Sequence, residues 1–388
     1  MAKIKLKVGQ IVALAVMAIV LAALIVGDVM AYSYASIITT FFGSGEQLGG
    51  DAAAIEEAAK SGDELVRKMG NEGVVLMKNE MGEDGEPTLP LDKNGDGSPI
   101  KVNIFGWGAT DAGFLLAGNG SGRSYVHPDM KVTLLDAFKQ NGFEYNEEII
   151  GIYEDWCTTE DADWGENANW SNRYNTKLKE PVTDTAFPAD VRERAKEYSD
   201  TAIIVLSRYS GEYIGRIYDY QPKHDLARDD TRSFNEISTE EESLIKMCTE
   251  NFENVIVVFN TGSIMDMTFL DDPSFGKIDA AMNVGYMGQS GATAIPKILS
   301  GEVNPSGKLA DTVIYDPEVN EITRLNGESS DIVYIEDVYI GYKWYETAGA
   351  EGWYDGKTKF GKTGYDAVVQ FPFGSGLSYT TFEWELLD

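Results

Sequence analysis

Residues 201–212 read TAIIVLSRYSGE. The stretch from Ala202 to Leu206 is apolar without interruption, has the length of a strand, and does not alternate with polar residues. Such a run marks a strand buried on both faces rather than on one. Polarity begins at Ser207, and Gly211 turns the chain before Glu212, so a carboxylate sits on the loop that leaves the strand. Runs of the same kind recur at 73–77, 101–105, 254–260 and 279–284. Helical periodicity fills 52–69, 132–140 and 239–251, and the last opens Ser238-Thr239-Glu240-Glu241, a capping box in form. Strands alternating with helices predict an α/β fold with a mostly parallel sheet sandwiched by helices. Ligands of such sheets bind beyond the carboxyl ends of the strands. The loops to search are therefore 105–108, 207–216 and 261–263.

Composition narrows the chemistry. Hydrophobic residues make up 43% and charged residues 24% of the 388, an ordinary globular balance. The net charge of −31 opposes binding to a phosphate backbone, so nucleic acid is not a partner. Cys157 and Cys248 form no CxxC, imply no metal framework and leave one disulfide open. With two histidines, His127 and His224, a His-based triad is a poor starting point, whereas 63 acidic residues keep carboxylate chemistry available. The glycine-rich segment 118–122 has neither the GxGxxG register after a strand nor a P-loop lysine, so no nucleotide cofactor is implied. No cofactor or metal of any kind is expected.

The N-terminus stands apart. Lys3, Lys5 and Lys7 precede an apolar run from Val8 to Val26 that Asp28 closes, near the ~20 residues that cross a bilayer as a helix. Lysines stay cytoplasmic, so the reading is a single-pass anchor over 1–30 with the rest of the chain outside the cell membrane. A secretory signal cleaved near Ala31 or Ala35 is the alternative. Residues 31–51, rich in Gly and Ser towards their end, read as a linker.

The segment 201–212 resembles the strand and loop of glycoside hydrolase family 3 that ends in R-x-S-G-E. Residues 72–79, EGVVLMKN, followed by Leu89-Pro90-Leu91, are similar to the family's E-G-x-V-L-L-K-N…L-P-L. Residues 254–262 resemble its next core strand. Residues 288–312, GQSGATAIPKILSGEVNPSGKLADT, are similar to its P-G-Q…N-P-S-G-K-L stretch. Residues 334–345 and 371–382, the latter FPFGSGLSYTTF, match two more of its motifs. Six matches in family order cover nearly everything after the anchor.

The resemblance implies the family's α/β-sandwich domain over 52–375, with the beginning of a fibronectin-III-like domain at 376–388. It implies a β-glucosidase-type hydrolase acting with retention on a β-linked oligosaccharide or glycoside. Glu212 matches the general acid/base, and Arg208, Tyr209 and Ser210 in the same loop are assigned to substrate binding. The loop departs from the family's G-E-G-x-D-R after Glu212, and Lys223, His224, Asp225, Asp229, Asp230 and Glu236 stand as alternatives within it. Trp156, Trp164 and Trp170 in the insertion 145–174 are candidates for a sugar subsite or for packing back on the sandwich. Retaining hydrolysis needs a second carboxyl ~5–5.5 Å from the first. In the family it lies on a TIM-like barrel, for which these 388 residues have no counterpart. A permuted or truncated enzyme missing that barrel is the expectation, with little or no activity in this chain alone. A membrane-anchored carbohydrate-binding module without catalysis is the alternative.

Overall fold

The computed structural model describes residues 52–388 except 83–84, 92–97, 119–125, 159–179, 209–235, 316–335, 382, 384 and 386–388. Before residue 52 it describes only 7–9, 15–17, 19–21 and 23–26. Contacts divide the chain into two units, Met1–Lys60 and Ser61–Asp388. In the first unit the described residues 15–17, 19–21 and 23–26 are helical and exposed. No helix among the described residues is long and apolar enough to cross a membrane, so the expected transmembrane helix gains no support from the structure. The expected linker 31–51 lies outside the described residues.

The second unit is built on one six-stranded sheet. Its strands are β1 (Val75–Asn79), β2 (Ile100–Phe105), β3 (Phe143–Tyr145), β4 (Thr201–Arg208), β5 (Asn254–Thr261) and β6 (Ala280–Asn283), in the order β1-β6-β5-β4-β2-β3. All neighbours are parallel except β1, which runs antiparallel to β6. The expected mostly parallel sheet is thus present, with one reversed edge strand. In β4, Ala202, Ile204 and Leu206 face one core and Ile203 and Val205 the other, each at most 1% exposed. That two-sided burial is why the run does not alternate.

Helices cover both faces. Helix α1 (Ala52–Gly73) leads into β1, and α2 (Leu134–Gln140) packs Leu134, Ala137 and Phe138 into the core that holds Ile203. Helix α3 (Glu147–Cys157), α4 (Ala189–Tyr198) and α5 (Thr239–Asn251) cover the opposite face through Tyr153, Ala195 and Leu244. The expected capping box is made: Ser238 Oγ accepts from the Glu241 N–H, and Glu241 accepts from the Ser238 N–H. Helix α6 (Ala294–Leu299) returns to the α2 side.

The remaining strands are short. β7 (Val313–Ile314) pairs with β10 (Val369–Phe371), and β8 (Thr358–Lys359) with β9 (Lys362–Thr363). Helix α7 (Tyr342–Ala350) closes a small core around Tyr345, Tyr354 and Val369. Residues 381, 383 and 385 carry no regular structure. Both cysteines are free, Cys248 buried and Cys157 half-buried, so no disulfide joins them. Trp156, in the last turn of α3, packs against the core, which is the packing reading; Trp164 and Trp170 lie outside the described residues.

Three of the motifs that are distant in sequence converge. The Gly307 N–H donates to Val74 O, the Leu309 N–H to Ser375 O, and the Leu377 N–H to Leu76 O. A side chain on Gly307 would meet Val74 O at 2.4 Å, and one on Gly376 would meet Gly307 O at 2.3 Å. The segments 72–79, 304–309 and 371–379 therefore share one tightly packed seam, and their glycines are there because backbone passes against backbone.

Candidate active-site edge

Strands β2, β4, β5 and β6 all end on one edge of the sheet. Phe105 pairs with Ile204, and β4 runs on to Arg208, opposite Thr261 of β5. The middle two strands therefore project beyond β2, and the turn after β2 lies across the end of β4. Gly106 adopts φ 93°, and a Cβ there would meet Val205 O at 2.4 Å. A Cβ on Gly108 would meet Ser207 Oγ at 2.5 Å. Gly-Trp-Gly is the sequence that lets this turn press onto its neighbour.

Beneath the turn lies a buried acid that the sequence does not single out. Glu180 is 1% exposed. It accepts from the Trp107 N–H at 3.0 Å and from the Tyr153 hydroxyl, whose oxygen in turn accepts from the Gly106 N–H at 2.8 Å. Burial, only partly offset by these donors, pushes the Glu180 carboxyl up to about 8. At neutral pH it is chiefly the neutral acid. Glu180 is thereby joined to the turn after β2 and, through Tyr153, to α3.

Asn260, fully buried near the end of β5, ties the loops after β2 and β6 to the end of β4. Its Oδ1 accepts from the Leu115 N–H at 2.6 Å and from Ser207 Oγ at 3.1 Å. Its Nδ2 donates to Leu115 O at 3.0 Å and Gly285 O at 2.6 Å. Every position of the amide is used, as a buried Asn requires. Next to it opens a cleft of about 240 Å³, lined by Thr261, Gly262 and Ser263 after β5, Asn283–Gly285 after β6, and Lys308 and Asp311. Further along the chain, burial raises the Asp266 carboxyl, which accepts from the Thr268 N–H at 2.8 Å.

Of the residues assigned from sequence, Arg208 is described and fully buried. Its guanidinium meets Glu241 in a two-point pair at 2.7 and 2.6 Å and also donates to Ser207 O and Glu236 O. Tyr209, Ser210 and Glu212 lie outside the described residues, as do Lys223, His224, Asp225, Asp229 and Asp230. What the structure fixes is where their segment leaves and rejoins the fold: at Arg208 on the projecting end of β4, and at Glu236 ahead of α5. Among the described residues no group of three or more His, Cys, Asp or Glu is arranged to hold a metal ion.

A mostly parallel sheet covered on both faces, with a cleft at its carboxyl edge, defines an α/β sandwich of the kind that binds ligands at that edge. The chain belongs to glycosyl hydrolase family 3: the family's C-terminal domain matches residues 74–379. A beta-glucosidase of Ruminococcus albus is 30% identical over 323 residues, covering 82% of this chain and 28% of its own length. Beta-glucosidase A of Butyrivibrio fibrisolvens is 30% identical over 330 residues, covering 80% and 34%. Among solved structures, a beta-glucosidase from Paenibacillus barengoltzii superposes with TM-score 0.63 at 28% identity, covering 84% of this chain and 30% of that one. Beta-glucosidase 3B from Thermotoga neapolitana, in complex with glucose, superposes with TM-score 0.61 at 28% identity, covering 85% and 39%. The chain thus spans about a third of the length of these relatives.

Proposed function

We propose that this chain supplies the acid/base half of a β-glucosidase-type hydrolase that removes a terminal β-linked sugar with retention. The observation that carries the reading is the exit of the R-x-S-G-E segment from the end of β4. That end projects from the edge where parallel α/β sheets bind ligands, in a chain of family 3. On this reading Glu212 protonates the leaving oxygen and then, as a carboxylate, activates the water that releases the sugar. The nucleophilic Asp is supplied by a TIM-like barrel outside these 388 residues, and the sugar is bound between the two halves. The lysines and apolar run before residue 28 support export, with the domain outside the membrane.

The test is Glu212→Gln in the whole enzyme, assayed on aryl glycosides of graded leaving-group acidity. Loss of general acid catalysis is worth roughly 10²–10⁴-fold. It should fall on substrates with poor leaving groups and spare those with good ones. Equal losses on both classes would remove Glu212 from the acid/base role. Hydrolysis by the 388-residue chain alone would remove the two-half assignment.

A further inference from the structure

Two hydroxyls at the carboxyl edge of the sheet are buried and unused. Thr261, the last residue of β5, is 4% exposed. Neither its Oγ1 nor the Oγ of Ser263 has a hydrogen-bond partner among the described residues. A buried polar group left in this way costs free energy until something bonds to it. Both residues line the cleft of about 240 Å³. Strand alternation sets the side that Thr261 faces. Phe259, two residues earlier, belongs to the core that also holds Val75, Met267, Leu309 and Val313, and those four line the same cleft. The Thr261 hydroxyl thus stands at the strand end, beside an apolar floor. The backbone between the two hydroxyls is held in place, because the Tyr286 ring lies only 2.3 Å from where a Cβ on Gly262 would be.

The chemistry of the lining selects a class of occupant. A hydroxyl both donates and accepts, so Thr261 and Ser263 can meet ligand hydroxyls in either sense. Asn283 uses its Oδ1 to accept from the Gly285 N–H at 3.1 Å, which leaves its Nδ2 without a partner among the described residues. Lys308 and Asp311 are exposed where they line the cleft. Their opposite charges offset each other, which favours a neutral molecule over an anion or a cation. No aromatic ring among the described residues lines the cleft, so a nucleobase or aryl group has nothing to stack on. The volume lies below the roughly 300–1,000 Å³ of pockets that enclose drug-sized ligands, so the occupant is small. We infer that the cleft binds a small neutral polyhydroxyl molecule, a polyol or a single sugar ring, through Thr261, Ser263 and Asn283. The inference uses no residue of 209–235 and does not depend on the acid/base role of Glu212.

The experiment is calorimetric titration of the 388-residue chain with D-glucose. Protonated glucosamine and glucuronate serve as a cation and an anion on the same ring. Saturable binding of glucose is expected, tighter than that of either charged analogue. Thr261→Val and Ser263→Ala should each weaken it by about fivefold, the worth of one hydrogen bond. Because the Thr261 hydroxyl bonds to nothing in the ligand-free chain, Thr261→Val should leave the unfolding midpoint without glucose unchanged or higher. Added glucose should then raise the midpoint less in the variants than in the wild type. That divergence separates a ligand contact from a structural role. Absence of saturable binding means that the cleft holds water only, and it overturns the inference. So does tighter binding of either charged analogue, a lower ligand-free midpoint in Thr261→Val, or glucose binding that both variants leave intact. None of these results bears on the leaving-group test of Glu212→Gln, which succeeds or fails on its own.

Discussion

The side-chain amide of Asn260 pairs with both backbone groups of Leu115, accepting from its N–H and donating to its carbonyl across 145 residues of sequence. With Ser207 and Gly285 as its other partners, this one residue holds the loops after β2 and β6 to the end of β4. Asn260→Ala leaves several buried polar groups without partners, each costing ~1–3 kcal/mol. We expect a loss of about 3 kcal/mol or more in urea unfolding. Asn260→Asp should be worse at pH 7 than at pH 4.5, because a carboxylate at this buried position has to charge and can no longer donate. Equal stability of the two variants at both pH values would contradict the network.

Glu180 gives the fold a pH dependence of calculable sign. Its carboxyl sits at about 8 when folded against a model value of 4.5. The native state therefore keeps a proton that the unfolded state releases. The stabilisation is complete below about 4.5 and is lost as pH rises through about 8. The span corresponds to a change on the order of 5 kcal/mol at most. Glu180→Gln, which cannot ionise, should flatten the stability profile between these limits. Denaturant titrations of both proteins across pH 4.5–8.5 measure the difference.

Gly106 takes φ 93° with the Val205 carbonyl 2.4 Å from where a Cβ would be. Gly106→Ala meets both the strained backbone and a rigid neighbour, so a destabilisation of about 2 kcal/mol or more is expected. The indole of Trp107 follows the turn, and its fluorescence should shift with the substitution. A silent variant would mean that the turn does not press on β4.

The two thiols should differ in reactivity. Burial raises both, and far more for Cys248 than for half-buried Cys157. A thiol reagent at pH 8 should modify Cys157 slowly and Cys248 only after denaturation, while non-reducing mass analysis shows both thiols free. Rapid labelling of Cys248 in the native protein would mean that the buried face of α5 is open to solvent.

Much of the sheet was legible because its central strands are buried on both faces, so β4 and β5 announce themselves as unbroken apolar runs. The start of α5 was equally plain, since Ser238 and Glu241 carry the cap in their spacing. The direction of β1 was not, because a two-sided apolar run looks alike in either orientation. Helix α3 went unnoticed inside the stretch 145–174, although Ile149, Ile150 and Tyr153 have helical spacing. At the site, the family motifs pointed to the segment that follows β4, where Glu212 lies outside the described residues, but polar residues doing internal work resembled solvated ones. Nothing in sequence separates Glu180 or Asn260 from their many exposed counterparts. Arg208 was assigned to the sugar because it belongs to the motif, and its burial against Glu241 became visible only once α5 was placed beside β4.

Buried hydrogen bonds fasten the described residues that flank two stretches: Arg208, Glu236 and Ser238 on either side of 209–235, and Glu180 after 159–179. Ends secured in this way separate the fate of the segment from the fate of the fold. Residues between the fastenings can lengthen, shorten or change identity at little thermodynamic consequence, since closure entropy grows only slowly with loop length. A lineage could therefore rewrite the sequence between such ends while the sheet that carries them is inherited unaltered.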